Sequence, residues 1–234
     1  MNYTCEQIAK MIDHSLLNPV MTDDELEKGC RIALQYNVAT VCIKPYYLKR
    51  CAEILAGSTV LPTTTIGFPH GGHTTAVKVA EAKQALADGA RELDMVVNVG
   101  KVLSADWPFI RQDIKAVLDA AREAKALLKV IFENCCLQDI HKIRLCEICG
   151  DLRVDFVKTS TGYGSGGATI EDLKLMRLHS PAHVQVKAAG GIRTADQLLE
   201  VRALGVTRVG ATRTADILEE CKKRLNKNKG SDLD

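Results

Sequence analysis

The 234-residue chain carries 31 basic against 29 acidic residues, a net charge of only +2, and 46% of it is hydrophobic. That balance supplies no electrostatic case for nucleic acid or an anionic membrane as a partner. Its apolar runs, such as Val38–Ile43 and Met95–Val97, fall far short of the roughly 20 residues that span a bilayer.

In chain order, Met1–Lys10 shows no basic segment leading into an apolar core, so no secretory signal is visible and a cytoplasmic location is expected. The segment is read instead as an extra helix. Strands are expected at Met11–Leu17, Thr40–Lys44, Thr59–Gly67 and Glu92–Val99, then at Leu128–Glu133, Asp155–Thr159, His183–Ala188 and Arg208–Ala211. Between them, helices are expected at Asp23–Tyr36, Tyr46–Ala56, Thr74–Asp88 and Ala105–Ala126, then at Leu137–Cys149, Ile170–Arg177, Thr194–Ala203 and Thr214–Arg224. Thr22 with Glu25 spells a capping box. Glycines after Asp88 and Leu204 mark helix ends, and the spacing of Val77, Ala80, Glu81, Gln84 and Ala85 is helical. Asn226–Asp234 is polar and is expected to be a flexible tail beyond a single domain over residues 1–225.

Strict alternation of eight strands with eight helices predicts an α/β fold with a parallel sheet, closed as a (β/α)8 TIM barrel with the extra N-terminal helix added. A doubly wound sheet is the runner-up. It would place a glycine-rich turn after the first strand, and His14–Pro19 contains no glycine.

Nine cysteines are an odd number, expected to stay as thiols in a reducing compartment. Cys146 and Cys149 form a CxxC, but the pair reads as the end of a helix before Gly150, and no second pair stands at ribbon spacing. They are taken as buried helix thiols, and no metal is expected.

In a barrel the carboxyl ends of the strands carry the chemistry. Lys158 ends the sixth expected strand and Lys187 lies in the seventh, each bracketed by apolar residues. A buried lysine loses affinity for its proton, and a second ammonium nearby lowers it further, which yields the neutral amine that attacks a carbonyl. Asp94, inside the apolar run of the fourth strand, needs a partner; beside an amine it could shuttle protons. Asp13 and Glu133 are further inward-facing carboxylates that could balance the lysines. Gly162–Thr169, Gly190-Gly191 and Gly210–Arg213 are glycine-rich strand ends suited to a phosphate cradle, with Arg213 adding a charged fork. A lone snorkelling lysine and an ordinary glycine turn are the plainer alternatives.

At these residues the sequence resembles the deoxyribose-phosphate aldolase family. The likeness is carried by Phe156–Gly162, Val186–Thr194, Ile12–Leu17, Thr65–Pro69 and Glu92–Asn98, and it runs from about Ile8 to Leu218. The resemblance implies a class I aldolase without cofactor or metal, acting on a small-molecule phosphosugar. It would cleave 2-deoxy-D-ribose 5-phosphate to glyceraldehyde 3-phosphate and acetaldehyde, reversibly. It further implies that Lys158 is the Schiff-base nucleophile, Lys187 the neighbour that lowers its pKa, and Asp94 the proton-transfer carboxylate. Cys42 would stand near the reacting aldehyde. Thr161, Gly162, Gly190, Gly191, Thr212 and Arg213 would hold the substrate and its phosphate. Lys44, Tyr163 and Arg213 depart from the family's usual residues, which leaves open a sister aldolase acting on another phosphosugar or aldehyde. A non-catalytic sugar-phosphate sensor is a further alternative, and a homodimer is a possible assembly.

Overall fold

A strand hidden on both faces must be apolar on the side that meets a helix, whatever it points into the barrel. In a computed structural model that describes residues 3–231, eight such strands close into a parallel barrel in sequence order. They are β1 (Ile12–Leu16), β2 (Thr40–Ile43), β3 (Leu61–Ile66), β4 (Glu92–Val96), β5 (Leu127–Ile131), β6 (Phe156–Lys158), β7 (Gln185–Ala189) and β8 (Arg208–Ala211). The chain is a (β/α)8 TIM barrel.

The helices are α1 (Cys5–Ala9), α2 (Asp23–Tyr36), α3 (Leu48–Leu55), α4 (Thr75–Ala87), α5 (Val99–Leu103), α6 (Trp107–Glu123), α7 (Asp139–Leu152), α8 (Ile170–His179), α9 (Ala195–Ala203) and α10 (Thr214–Ser231). The short α1 is the expected extra helix. A reciprocal capping box between Thr4 and Gln7 starts it, and it packs on α10. The Thr22–Glu25 box likewise starts α2.

Register decides which residues share the interior, because paired positions on parallel strands project to one face. Asp13 pairs with Thr40 and Gly210, Thr65 with Asp94, Asp94 with Lys129, and Lys158 with Lys187. The barrel interior is therefore charged, where branched apolar side chains usually fill it. The apolar core is the layer between strands and helices, built from residues such as Leu93, Val130, Val157 and Val209, all fully buried.

Four expectations change, while the helical spacing expected for α4 holds. The fourth strand stops at Val96, since the Asn98 side chain accepts a hydrogen bond from the Lys101 amide (3.1 Å) and opens α5. The face of α4 turned inward is Lys78, Ala82 and Ala85, and Val77 is exposed. A lysine can occupy that face because its ammonium donates to Asp113 Oδ2 (2.6 Å) and to the Val96 carbonyl (2.9 Å). Helix α10 continues to Ser231, into the segment expected to be a tail, with no proline to stop it; residues 232–234 lie outside the described ones. Glu133 does not face the lysines: it sits in the left-handed region just past β5 and accepts from the Thr161 amide and hydroxyl.

The fourth change is at α7, which runs through Gly150 to Leu152 and ends on Arg153 in the left-handed region. Glycine is needed there for space: a Cβ would lie 2.7 Å from Pro181 Cγ and 2.8 Å from its Cδ. Gly150→Ala should thus lower stability by about 1–2 kcal/mol, the overpacking cost exceeding the roughly 1 kcal/mol that alanine gains by helix propensity. A urea-melt midpoint that rises instead would show that Pro181 yields freely.

Candidate active site

At the carboxyl ends of the strands lies a cavity of about 830 Å3, and Lys158, Lys187 and Cys42 all line it. Lys158 reaches it from the last residue of β6, Lys187 from the middle of β7 and Cys42 from β2. Asp94 lies just beneath, fully buried on β4. Its Oδ2 accepts from both Lys158 Nζ (2.7 Å) and Lys187 Nζ (2.7 Å), so one oxygen bridges the two amines. Its Oδ1 accepts from Lys129 Nζ (2.7 Å), a third buried lysine that carries no obvious sequence signal beyond its place in an apolar strand.

These contacts divide the two cavity lysines. Burial depresses the affinity of Lys158 for its proton most, and the Lys187 charge adds to this against the attraction of Asp94, so its pKa falls below the ordinary lysine range. Lys187 is equally desolvated, but Asp13 and Asp94 outweigh the burial and raise its pKa. Lys187 thus stays an ammonium, while Lys158 is driven toward the free amine. Burial also resists ionisation of Asp94, yet Lys129, Lys158 and Lys187 together hold its carboxyl well below the usual range. The Cys42 thiol is pushed up to about 11, by burial first and the Asp94 charge second, so it remains protonated at neutral pH.

The rest of the cavity is a glycine-lined rim. Thr161, Gly162, Gly190, Gly191 and Thr212 all line it. The loops after β6 and β7 touch backbone to backbone: a Cβ on Gly167 would lie 2.3 Å from the Gly190 carbonyl oxygen, and the Ala168 amide donates to the Ala189 and Gly190 carbonyls, each at 3.0 Å. This close approach explains the glycines in both loops. The Thr161 hydroxyl is already engaged, donating to Glu133 and accepting from the Tyr163 amide (2.9 Å). Thr161 therefore shapes the loop. Tyr163 reaches across the mouth, where its hydroxyl donates to the Leu17 carbonyl (2.7 Å) and its ring meets Phe68 edge-on.

Arg213 is not brought to the cavity: its side chain is 63% exposed and lies 3.8 Å from Asp216. Arg193, following Gly190-Gly191-Ile192, is the arginine at the lining. Its place directly after the paired glycines was the signal available in the sequence. Lys44 also lies apart, donating to the Asn18 (3.1 Å) and Met21 (2.9 Å) carbonyls. Cys146 and Cys149 are buried in α7. Among the described residues no group of three or more His, Cys, Asp or Glu side chains is placed to hold a metal. Nor is any helix among the described residues long and apolar enough to cross a membrane.

Residues 7–212 match the DeoC/LacD family of aldolases. The chain belongs to that family. It is 60% identical to a deoxyribose-phosphate aldolase of Rhodopirellula baltica, over 96% of this chain and 93% of that one. A Clostridium perfringens deoxyribose-phosphate aldolase is 47% identical, over 92% and 95% of the respective chains. Among solved structures, the tetrameric deoxyribose-phosphate aldolase of Aeropyrum pernix superposes with a TM-score of 0.85 at 28% identity, covering 94% of this chain and 92% of that one.

The site carries one strongly shifted histidine. His14, on β1 at the cavity wall, is buried; its Nδ1 is paired with Thr214 Oγ1 (2.7 Å) and its Nε2 has no partner. Burial lowers its pKa to about 4 from the ordinary 6.5. The unfolded chain then binds the extra proton between those values, so stability is present above pH 6.5 and is lost as pH falls toward 4, by up to about 3 kcal/mol. His14→Gln should show a smaller loss of urea-unfolding free energy between pH 7 and pH 4.5 than the parent chain. Parallel stability curves for the two proteins would refute that.

Proposed function

We propose that this chain is a class I aldolase that reversibly cleaves 2-deoxy-D-ribose 5-phosphate to D-glyceraldehyde 3-phosphate and acetaldehyde through a Schiff base on Lys158. The observation that carries the reading is the pair of cavity amines bridged by one oxygen of Asp94, the proton affinity of Lys158 lowered by burial and that of Lys187 raised by Asp13 and Asp94. A sugar-phosphate sensor has no use for an uncharged buried amine. Carbonyl addition requires one.

The open-chain aldehyde enters with its phosphate at the glycine rim, where backbone amides around Gly162, Gly190 and Gly191, and the guanidinium of Arg193, suit an anion. Neutral Lys158 attacks the aldehyde carbon and forms a carbinolamine. Asp94 Oδ2, already bonded to Lys158 Nζ, takes the proton released from nitrogen, and the Lys187 ammonium at the same oxygen completes a relay. Loss of hydroxide, protonated to water, leaves the iminium.

That iminium draws in the electron pair of the bond between the second and third carbons. The bond breaks as the hydroxyl on the third carbon passes its proton to the Asp94–Lys187 relay and becomes the carbonyl of glyceraldehyde 3-phosphate. A two-carbon enamine remains; protonation and hydrolysis release acetaldehyde and restore the amine. Stabilisation of developing charge by the fixed ammonium and carboxylate is the main catalytic contribution, with the phosphate contacts fixing orientation.

The sister-aldolase alternative rested on Lys44, Tyr163 and Arg213. Two of these lie off the cavity, which leaves Tyr163 as its one support.

A coupled assay for glyceraldehyde 3-phosphate released from deoxyribose 5-phosphate should show turnover. Borohydride reduction in the presence of substrate should leave a mass adduct on Lys158. Lys158→Ala should abolish the adduct and cut kcat by about a thousand-fold or more, as loss of a covalent nucleophile does. Turnover without an adduct, or an undiminished adduct in the variant, would overturn the assignment.

A further inference from the structure

Lys158 belongs to a larger buried charge network, and the composition of that network is unusual. Taking the barrel interior strand by strand, β1 contributes Asp13, β2 Cys42, and β3 only Thr63 and Thr65. From β4 come Glu92 and Asp94, from β5 Lys129, from β6 Lys158, from β7 Lys187 and from β8 Arg208. His14 faces Thr214 on α10, and Glu133 faces Thr161, so neither joins the set. The Cys42 thiol is neutral. Four basic groups therefore share three carboxylates.

The contacts make one connected system. Arg208 Nη1 donates to Asp13 Oδ1 (2.6 Å) and Glu92 Oε2 (2.9 Å), and Nη2 to Glu92 Oε1 (3.2 Å). Lys129 Nζ lies 2.5 Å from Glu92 Oε2, 2.7 Å from Asp94 Oδ1 and 3.5 Å from Asp13 Oδ2. Lys187 touches Asp13 and Asp94. Lys158 touches Asp94 alone.

A low-dielectric interior resists a net charge. With all four bases protonated the network would carry one uncompensated positive charge, so one proton is expelled. Arginine cannot supply it. Lys129 is held by three carboxylates, Lys187 by two and Lys158 by one. The lysine with the fewest partners gives way, and it is the one at the cavity.

We infer that Arg208 and Glu92, a charge pair in the layer beneath the reacting centre, are positioning residues that set this proton count, Arg208 favouring the amine form of Lys158 and Glu92 opposing it. Neither lines the cavity, and neither touches Lys158. Their influence runs through Asp13 and Lys129. The inference rests on the aldolase reading, since it concerns the reactivity of the same amine.

Charge counting makes predictions of opposite sign for the two partners. Arg208→Met leaves three bases against three carboxylates, so Lys158 can keep its proton, and its apparent pKa should rise by about one unit or more. Glu92→Gln leaves four bases against two carboxylates and should lower it by a similar amount. The double variant restores a surplus of one and should return the pKa close to its starting value. Arg208→Lys, which keeps the charge, should leave it near the parent value.

The readout is the rate of acetaldehyde trapping on Lys158 by cyanoborohydride as a function of pH, followed by mass spectrometry, alongside the pH profile of kcat/KM. Circular dichroism would establish that each variant folds. Should Arg208→Met fail to fold, the isosteric Glu92→Gln decides the matter by its acidward shift. Unmoved pH profiles in variants whose kcat falls would show a merely structural role and overturn the inference. So would shifts of the same sign in both single variants, or an Arg208→Lys profile displaced as far as that of Arg208→Met. Absence of any Lys158 adduct in the parent protein at every pH would instead sink the aldolase reading itself.

Discussion

Asp94 has two oxygens, and three lysines compete for them. From that competition follow the protonation states of the cavity amines, the order of the interior contacts and the division of labour among residues of similar chemistry. A carboxylate so placed cannot be replaced by a neutral side chain without leaving the Lys129 and Lys187 ammonium groups short of a partner in a largely desolvated interior. Its register position on β4, opposite Lys129 and one strand from Thr65, is fixed by backbone pairing. The charges are therefore held by the sheet itself.

The barrel tolerates this interior because its apolar core lies elsewhere. Outward-facing strand residues and the inner faces of the helices bury the hydrophobic surface, leaving the space within the strands to polar groups that satisfy one another. Arg208 lies over the Phe156 ring, 5.1 Å from guanidinium carbon to ring centroid, and this closes the charged layer on one side with an aromatic surface. The same principle, a buried charge permitted by a complete set of partners, recurs outside the barrel at Lys78 and Asp113, which tie α4 to α6.

The charged interior and the glycine rim are separate structures. Above the lysines, loops after β6 and β7 interlock through glycines, and Glu133 clamps the Thr161 end of one of them. Tyr163 ties that loop across the cavity mouth to the segment after β1 through the Leu17 carbonyl. In the proposed reaction, substrate binding and amine activation are thus served by different layers. Substitutions at the rim can alter what is bound without disturbing the proton count beneath.

Much was legible in the sequence alone, and for a local reason. Strand and helix periodicity, capping boxes and glycine stops are short-range signals, and they located eight strands and eight helices closely. Lys158, Lys187 and Asp94 stood out because a charge inside an apolar strand is anomalous without tertiary help. Lys129, Glu92 and Arg208 carry the same kind of anomaly at the edge of a strand or within it, but only the closed register shows that they converge on one another. The rest required three dimensions. Gly150 making room for Pro181, Lys78 on a buried helix face and Arg193 rather than Arg213 at the cavity all depend on neighbours distant in the chain, whereas Asn98, which ends β4 by capping α5, is a local signal. Periodicity reports which faces are hidden; it cannot report which partner awaits a polar group there, and that partner decides whether a charge is a ligand, a scaffold or a reacting group.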